Sequence, residues 1–295
     1  MAMSGLRTCP VRSLRHALGS IVGVVSELGE VLELLHDAAG TVTTLSATLG
    51  EWSDEQQSRR AMEAAAVRNA QGASHTWSVG DGEPSPPPRY REHRTSIHYQ
   101  RPGRYRSERQ PVAASQEPAI LQVCDGTREW TYVPDRAEAW VQQAGAYQMA
   151  DDLLDPAWLP GEFLLGVAGR LHREGRTAIQ LHGRLRAGQD RGFGGSRAPP
   201  GAEEIRAIID ADTGLLLELT TLFEGEPLSR RSLHDVVLNE PLDEALFRFT
   251  PPPGTRVEDV QARQHRPPLN LRWRLRFWRS RPRPVATYGR FRRLP

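Results

Sequence analysis

The segment that decides the fold is residues 207–254, AIIDADTGLLLELTTLFEGEPLSRRSLHDVVLNEPLDEALFRFTPPPG. Its alternating apolar residues predict strands at about 205–209, 215–223 and 228–238, followed by a closing run at 241–249. The turns between the strands are short, Asp212-Thr213-Gly214 and then Glu224-Gly225-Glu226-Pro227. Strands joined by tight turns pair antiparallel, because a parallel pair needs a crossover of about a dozen residues or more. The segment therefore predicts an antiparallel sheet.

The same two-residue period extends upstream as far as Arg89. His93, Thr95, Ile97 and Tyr99 alternate with polar residues, and Pro102-Gly103 then turns the chain into a second strand at 104–108. Further strands are predicted at 119–124 and after the Asp125-Gly126 turn, around Trp140, and at 163–167 and 177–181. A single large antiparallel sheet accounts for this succession of strands and turns.

Three helices are predicted beside the sheet. Apolar residues at steps of three and four between Leu14 and Leu35 indicate an amphipathic helix, best defined at about 28–38. Residues 54–71 contain strong helix formers, with Ser53-Asp54 as the N-cap, and DDLLDPAWL at 151–159 predicts a short helix interrupted by Pro156. Residues 41–52 favour either a first strand or a continuation of the helix. The expected fold class is α+β, a curved, unclosed antiparallel sheet with helices on its concave face.

Composition excludes several kinds of chemistry. The chain has 295 residues, and all 38 of its basic residues are arginine, so it has no lysine for a P-loop, a pyridoxal Schiff base or a Ser-Lys nucleophile. Two cysteines, Cys9 and Cys124, are too few for a disulfide framework or a zinc site. Nucleophile-elbow and HExxH motifs are also missing from the sequence, and His93 and His98 are predicted to point to opposite faces of a strand. The sequence thus predicts no enzyme, no cofactor and no metal.

The net charge of +2 hides two opposed parts of the chain. Residues 261–295 contain 11 arginines and no acidic residue, which leaves 27 arginines against 36 acids in residues 1–260, a formal charge of −9. Within the basic tail, apolar and basic residues alternate, and we expect an anionic surface to contact Arg272, Trp273, Arg274, Arg276 and Trp278. A tail that is solvated, or docked on the acidic body, is the favoured alternative to that contact. A nucleic-acid contact through phosphates and stacking is the least favoured.

Targeting signals at the N-terminus are weak. The uncharged run at 17–26 follows Arg7, Arg12 and Arg15, a pattern that allows a poor secretory signal at 1–26. The amphipathic stripe continues through the possible cleavage point, and Glu27 and Glu30 interrupt the run, so the run is too short to span a bilayer. We expect a cytoplasmic protein that is attached peripherally to the membrane through its tail. Export through the weak signal at 1–26 is the alternative.

Several motifs together resemble one protein family. The stretch 97–109 (IHYQRPGRYRSER), the Asp125-Gly126 turn, the helix LLDPAWL and the run 207–254 resemble the lipoprotein-carrier superfamily, which includes LolA-like carriers and RseB-like sigma-factor regulators. The resemblance implies an unclosed barrel plugged by helices, whose cavity takes the acyl chains of a lipid or lipoprotein outside the cytoplasm. It divides the chain into an extension at 1–27, a half-barrel at 28–258 with an insertion at 54–88, and the basic tail at 259–295.

The function that follows is non-enzymatic binding of a lipid, an acyl chain or an acylated protein by a monomer. An RseB-like regulatory module that binds another protein and a nucleic-acid-binding protein are the alternatives. Leu154 and Trp158 are candidates for a lid over the cavity. The predicted apolar lining comprises Ile97, Tyr99, Tyr105, Leu121, Val123, Trp130, Tyr132, Phe163, Leu165, Val167, Ile179, Leu181, Leu215, Leu217 and Leu219. The same alternation is also typical of an ordinary packed sheet.

Overall fold

The computed structural model describes residues 12–70, 89–110, 118–145, 151–187 and 197–260. The helices are α1 (Arg12–Thr41), α2 (Glu55–Ala70), α3 (Asp151–Leu154) and α4 (Leu159–Glu162). Single 3₁₀ turns occur at Pro134–Arg136, Pro156–Trp158 and Glu244–Phe247. None of the helices in this part of the chain combines the length and hydrophobicity needed to cross a membrane.

Twelve strands form one sheet. They are β1 (Thr44–Asp54), β2 (Tyr90–Gln100), β3 (Arg104–Gln110), β4 (Ile120–Asp125), β5 (Arg128–Val133), β6 (Glu138–Gln143), β7 (Phe163–Arg173), β8 (Arg176–Leu185), β9 (Glu204–Asp210), β10 (Leu216–Phe223), β11 (Glu226–Leu238) and β12 (Arg256–Asp259). The spatial order is β12-β6-β5-β4-β3-β2-β1-β11-β10-β9-β8-β7, so β12 and β7 are the two edges of an unclosed sheet. This architecture confirms the predicted α+β fold class.

One strand pair departs from the antiparallel pattern. β12 runs parallel to β6, with Val257 opposite Ala139 and Glu258 opposite Trp140. The parallel pairing is possible because the chain between β6 and β12 is far longer than the crossover that a parallel pair requires. The expectation of an entirely antiparallel sheet is therefore wrong at this edge.

The helices cover one face of the sheet, which we call the inner face. On β1 this face carries Leu45, Ala47 and Leu49, all buried in the same core cluster as Val31 and Leu35 of α1. The core also includes Ala61 of α2 and residues of α3 and α4. The opposite side of β1 carries Thr48, Gly50 and Trp52 and belongs to the outer face of the sheet. This alternation of polar and apolar residues is typical of a sheet that is packed on one side.

The structure defines the N-terminal elements more closely than the sequence did. α1 is one continuous helix from Arg12 to Thr41, so it passes through the predicted domain boundary at residues 27 and 28. The segment after it is a strand, β1, rather than a continuation of the helix. Residues 71–88, the Pro-rich part of the predicted insertion, lie outside the described residues.

Asp54 caps α2 as predicted. Its Oδ1 atom accepts hydrogen bonds from the backbone amides of Gln56 and Gln57, both at 2.9 Å. We expect Asp54→Ala to lower the free energy of unfolding by about 1 kcal/mol, because two amides in the first turn lose their acceptor. Urea denaturation measures the loss. Asp54→Asn is the control, since asparagine also caps helices, and an equal loss in both variants would contradict the capping role.

Candidate functional site

Most of the predicted lining residues lie together on the inner face. The register places Tyr99 opposite Leu45 on one side and opposite Tyr105 on the other, and it places Leu181 opposite both Val167 and Ala207. The buried members, most of them in the main core cluster, are Ile97, Tyr105, Phe163, Ile179, Leu181, Leu215, Leu217 and Leu219. These residues pack the sheet against itself and its helices, so the inner face is a closed core over much of its area.

Four predicted lining residues belong to the other face. Val123 pairs with Arg106 and Trp130, while Tyr105 pairs with Cys124, so Val123 and Tyr105 point to opposite sides of the sheet. Alternation along the strands places Leu121, Trp130 and Tyr132 with Val123. The prediction that all fifteen residues line one cavity is therefore wrong for Leu121, Val123, Trp130 and Tyr132.

The chain after β11 covers this outer apolar patch. The ring of Phe249 lies 5.5 Å from the rings of both Trp130 and Tyr132, and Phe247 is completely buried. Arg104 holds the segment in place, with its guanidinium 4.6 Å from the centre of the Phe247 ring and a two-pronged ion pair to Glu244. We call residues 243–249 the closing segment.

Part of the inner face remains open to solvent. Leu165 and Val167 of β7, together with Trp158 of the turn before it, pack against the core but are only half-buried. Trp158 makes an edge contact with Phe163, with the ring centres 6.3 Å apart. Because β7 is an edge strand, these side chains form an apolar surface at the open side of the sheet. Of the two predicted lid residues, Trp158 lies at this surface and Leu154 is buried.

The predicted lid is short and is anchored at its far end. α3, the Pro156–Trp158 turn and α4 each contain four residues or fewer, and Leu153 and Leu159 are completely buried. The Glu162 carboxylate accepts hydrogen bonds from the amides of Arg197 at 2.7 Å and Ala198 at 3.3 Å. Glu162 therefore ties the end of α4 to residues 197 and 198.

A polar cavity of about 470 Å³ lies on the outer face. Three neighbouring strands form it, with Gly50 of β1 between Arg94 of β2 and Ser232 of β11. Trp52 lies beside them on β1, opposite Arg230. The other residues that line the cavity are Thr48, Glu51, Glu92, Glu174, His234 and Asp235. Its lining is polar and charged, unlike that of an acyl-chain pocket.

A chain of hydrogen bonds runs along one wall of this cavity. The Ser232 hydroxyl is 2.9 Å from Nε2 of His234, and Nδ1 of His234 is 2.8 Å from Oε1 of Glu174. The second oxygen of Glu174 accepts the Asp235 amide at 3.1 Å. Partial burial raises the pKa of Glu174, but hydrogen bonds from His234 and the Asp235 amide outweigh it, so the pKa lies below its ordinary value. The sequence did not reveal this arrangement, because Glu174 comes from a distant hairpin.

In the described part of the chain, the other reactive side chains offer no further site. Burial raises the pKa of the Cys124 thiol, which makes it a poor nucleophile. Among the described residues, no group of three His, Cys, Asp or Glu side chains could hold a metal ion. Arg272, Trp273, Arg274, Arg276 and Trp278, predicted to contact an anionic surface, lie outside the described residues.

Comparisons with known proteins find similarity in structure. No protein-family model matches the chain, and no curated protein matches it. An uncharacterized conserved protein from Thermus thermophilus is similar over 79% of this chain and 99% of its own, with 12% identity and a TM-score of 0.43. The MucA/MucB complex structure of Pseudomonas aeruginosa is similar over 75% of this chain, with 16% identity and a TM-score of 0.39. The similar region covers 60% of the length of the matched chain in that complex.

A third solved structure is similar over a comparable part of this chain. A LolA superfamily protein from Nitrosomonas europaea is similar over 74% of this chain and 96% of its own, with 9% identity and a TM-score of 0.28.

Proposed function

We propose that the protein binds an acyl chain of a lipid or an acylated protein at the open side of its inner face. The observation that carries the proposal is the half-buried apolar surface of Leu165, Val167 and Trp158, which adjoins the core at an unpaired sheet edge. No catalytic group is needed at this surface, because the binding free energy comes from removing methylene groups from water.

The energetics favour an elongated apolar ligand. Each methylene group that is taken out of water contributes about 0.8 kcal/mol, so about eight buried groups supply about 6 kcal/mol before the cost of association. Movement of residues 151–159 about the anchored Glu162 enlarges the surface, because that segment covers the core next to Trp158. The lid prediction thus becomes part of this proposal.

The test is uptake of a fluorescent fatty acid, together with native mass spectrometry of the gently purified protein. We expect Leu165→Arg to weaken fatty-acid binding at least about 10-fold, because it places a charge in the apolar surface. Leu164→Arg is a matched control, since Leu164 is the adjacent residue on the outer face and is 56% exposed. Equal binding by both variants, or no uptake by the unmodified protein, would contradict the proposal.

The regulatory-module alternative stays a prediction with its own test. A pull-down that recovers one stoichiometric protein and no lipid would favour it over acyl-chain binding. The cellular compartment also stays a prediction, and mass spectrometry of the mature N-terminus decides whether residues 1–26 are removed.

A further inference from the structure

We propose that Ser232, His234 and Glu174 form a hydrolytic triad on the outer face, which cleaves short carboxylic esters. The three side chains stand in the order nucleophile, general base and orienting carboxylate, joined by contacts of 2.9 and 2.8 Å. Both distances are those expected when a base takes the proton of a hydroxyl nucleophile and is itself oriented by a third group.

The fold holds these side chains on two elements. Ser232 and His234 are alternate residues of β11, so both point to the same face, and β11 lies in the middle of the sheet between β1 and β10. Glu174 is in the turn between β7 and β8 and bonds both to the His234 ring and to the Asp235 amide. Two contacts from one carboxylate fix the direction of the imidazole ring, which is the role of the third group in a triad.

Gly50 leaves room for the Ser232 and His234 side chains themselves, because a larger residue at this position would crowd both of them. A Cβ atom at this position would lie 3.1 Å from the Ser232 hydroxyl oxygen and 3.6 Å from Nε2 of His234. Ser232 and His234 are both among the residues that line the cavity. Its volume of about 470 Å³ is within the range of about 300–1,000 Å³ that is typical of small-molecule sites.

The lining indicates the kind of ester. Trp52 offers an aromatic surface next to Gly50, and this surface suits the ester of an aromatic alcohol. The residues on β1 are paired to strands on both sides, so backbone amides are less suited to hold an oxyanion here. Arg94 and Arg230 line the same cavity, and their guanidinium groups are the cations that we assign to the developing negative charge.

The reaction balances without a cofactor. His234 Nε2 takes the proton from Ser232 as its oxygen bonds to the ester carbonyl carbon, and the carbon–alkoxy bond then breaks. The alcohol leaves with that proton, and the acyl group remains on Ser232. Water then attacks the acyl carbon, gives one proton to His234, and releases the carboxylic acid as Ser232 regains its proton. This inference concerns a different face of the sheet from the acyl-binding surface.

The test uses the full chain with 4-nitrophenyl acetate as substrate and a fluorophosphonate as covalent probe. We expect hydrolysis above the buffer rate and probe attachment at Ser232, located by peptide mass spectrometry. Ser232→Ala should abolish labelling and lower kcat at least about 100-fold, and His234→Ala should lower kcat by a similar factor. Glu174→Gln should lower kcat at least about 10-fold with little change in KM, since Glu174 is a positioning residue.

Ser46 supplies a matched control. Its hydroxyl lies 2.9 Å from Nδ1 of His98 on the same outer face, so Ser46→Ala removes a similar serine–histidine contact away from the cavity. We expect this variant to keep full activity and labelling. An unchanged rate in Ser232→Ala, or labelling at another serine, would overturn the proposal, as would buffer-level hydrolysis by the folded, unmodified chain. Fatty-acid uptake by Ser232→Ala is expected to be normal, which separates this test from that of the proposed function.

Discussion

Asp210→Ala is expected to lower the free energy of unfolding by about 3 kcal/mol, because it removes the acceptor around which the β9–β10 turn is built. The Asp210 side chain is 1% exposed, and one of its oxygens accepts hydrogen bonds from the amides of Asp212 and Thr213 and from the Thr213 hydroxyl. The other oxygen pairs with Arg176 at 3.2 Å. Partial exposure of Arg176 keeps the expected loss at the low end of the range for broken buried pairs.

Urea denaturation followed by far-ultraviolet circular dichroism measures this loss. Asp212→Ala is the matched control, since Asp212 lies in the same turn with its side chain exposed, and we expect it to change stability by less than about 0.5 kcal/mol. The loss of unfolding free energy in Asp210→Asn should lie between the losses of these two variants. An amide oxygen can still accept hydrogen bonds from the turn amides, but it carries no charge to pair with Arg176. Similar losses in Asp210→Ala and Asp212→Ala would show that the turn does not depend on the buried carboxylate.

Local signals in the sequence were sufficient for most elements of the sheet. The N-cap at Asp54, the Asp125-Gly126 turn and the hairpins of residues 207–238 depend on neighbours in the chain, and the structure contains each of them. β12 could not be predicted, since a strand of four residues, Arg256–Asp259, shows too little periodicity to be identified. Its parallel pairing with β6 depends on contacts between residues far apart in sequence.

The face assignment failed where both faces of the sheet carry apolar residues. In β4, Ile120 and Cys124 point to the inner face, while Leu121 and Val123 point to the outer face, so alternation alone could not say which set meets the core. The pairing register of β4 with β3 decides which set meets the core, and that register cannot be read from the sequence of β4 alone. The candidate triad was hidden for a related reason, because Glu174 and His234 are 60 residues apart in sequence.

The closing segment carries the second large stability prediction. Phe247→Ala is expected to lower the free energy of unfolding by about 3–5 kcal/mol, since it leaves a cavity where a completely buried ring was packed. The change also removes the ring against which the Arg104 guanidinium is stacked. Urea denaturation again measures the loss.

Phe249→Ala tests whether the whole closing segment is docked on the outer face or only the Phe247 ring is buried. Phe249 is only half-buried, so removing its ring returns less apolar area to water. We therefore expect Phe249→Ala to lower the free energy of unfolding by about half as much as Phe247→Ala does. If both changes lowered the free energy of unfolding by less than about 0.5 kcal/mol, the closing segment would not be packed on the outer face in solution. Leu121, Val123, Trp130 and Tyr132 would then be an exposed apolar surface, and they would again be available to a ligand.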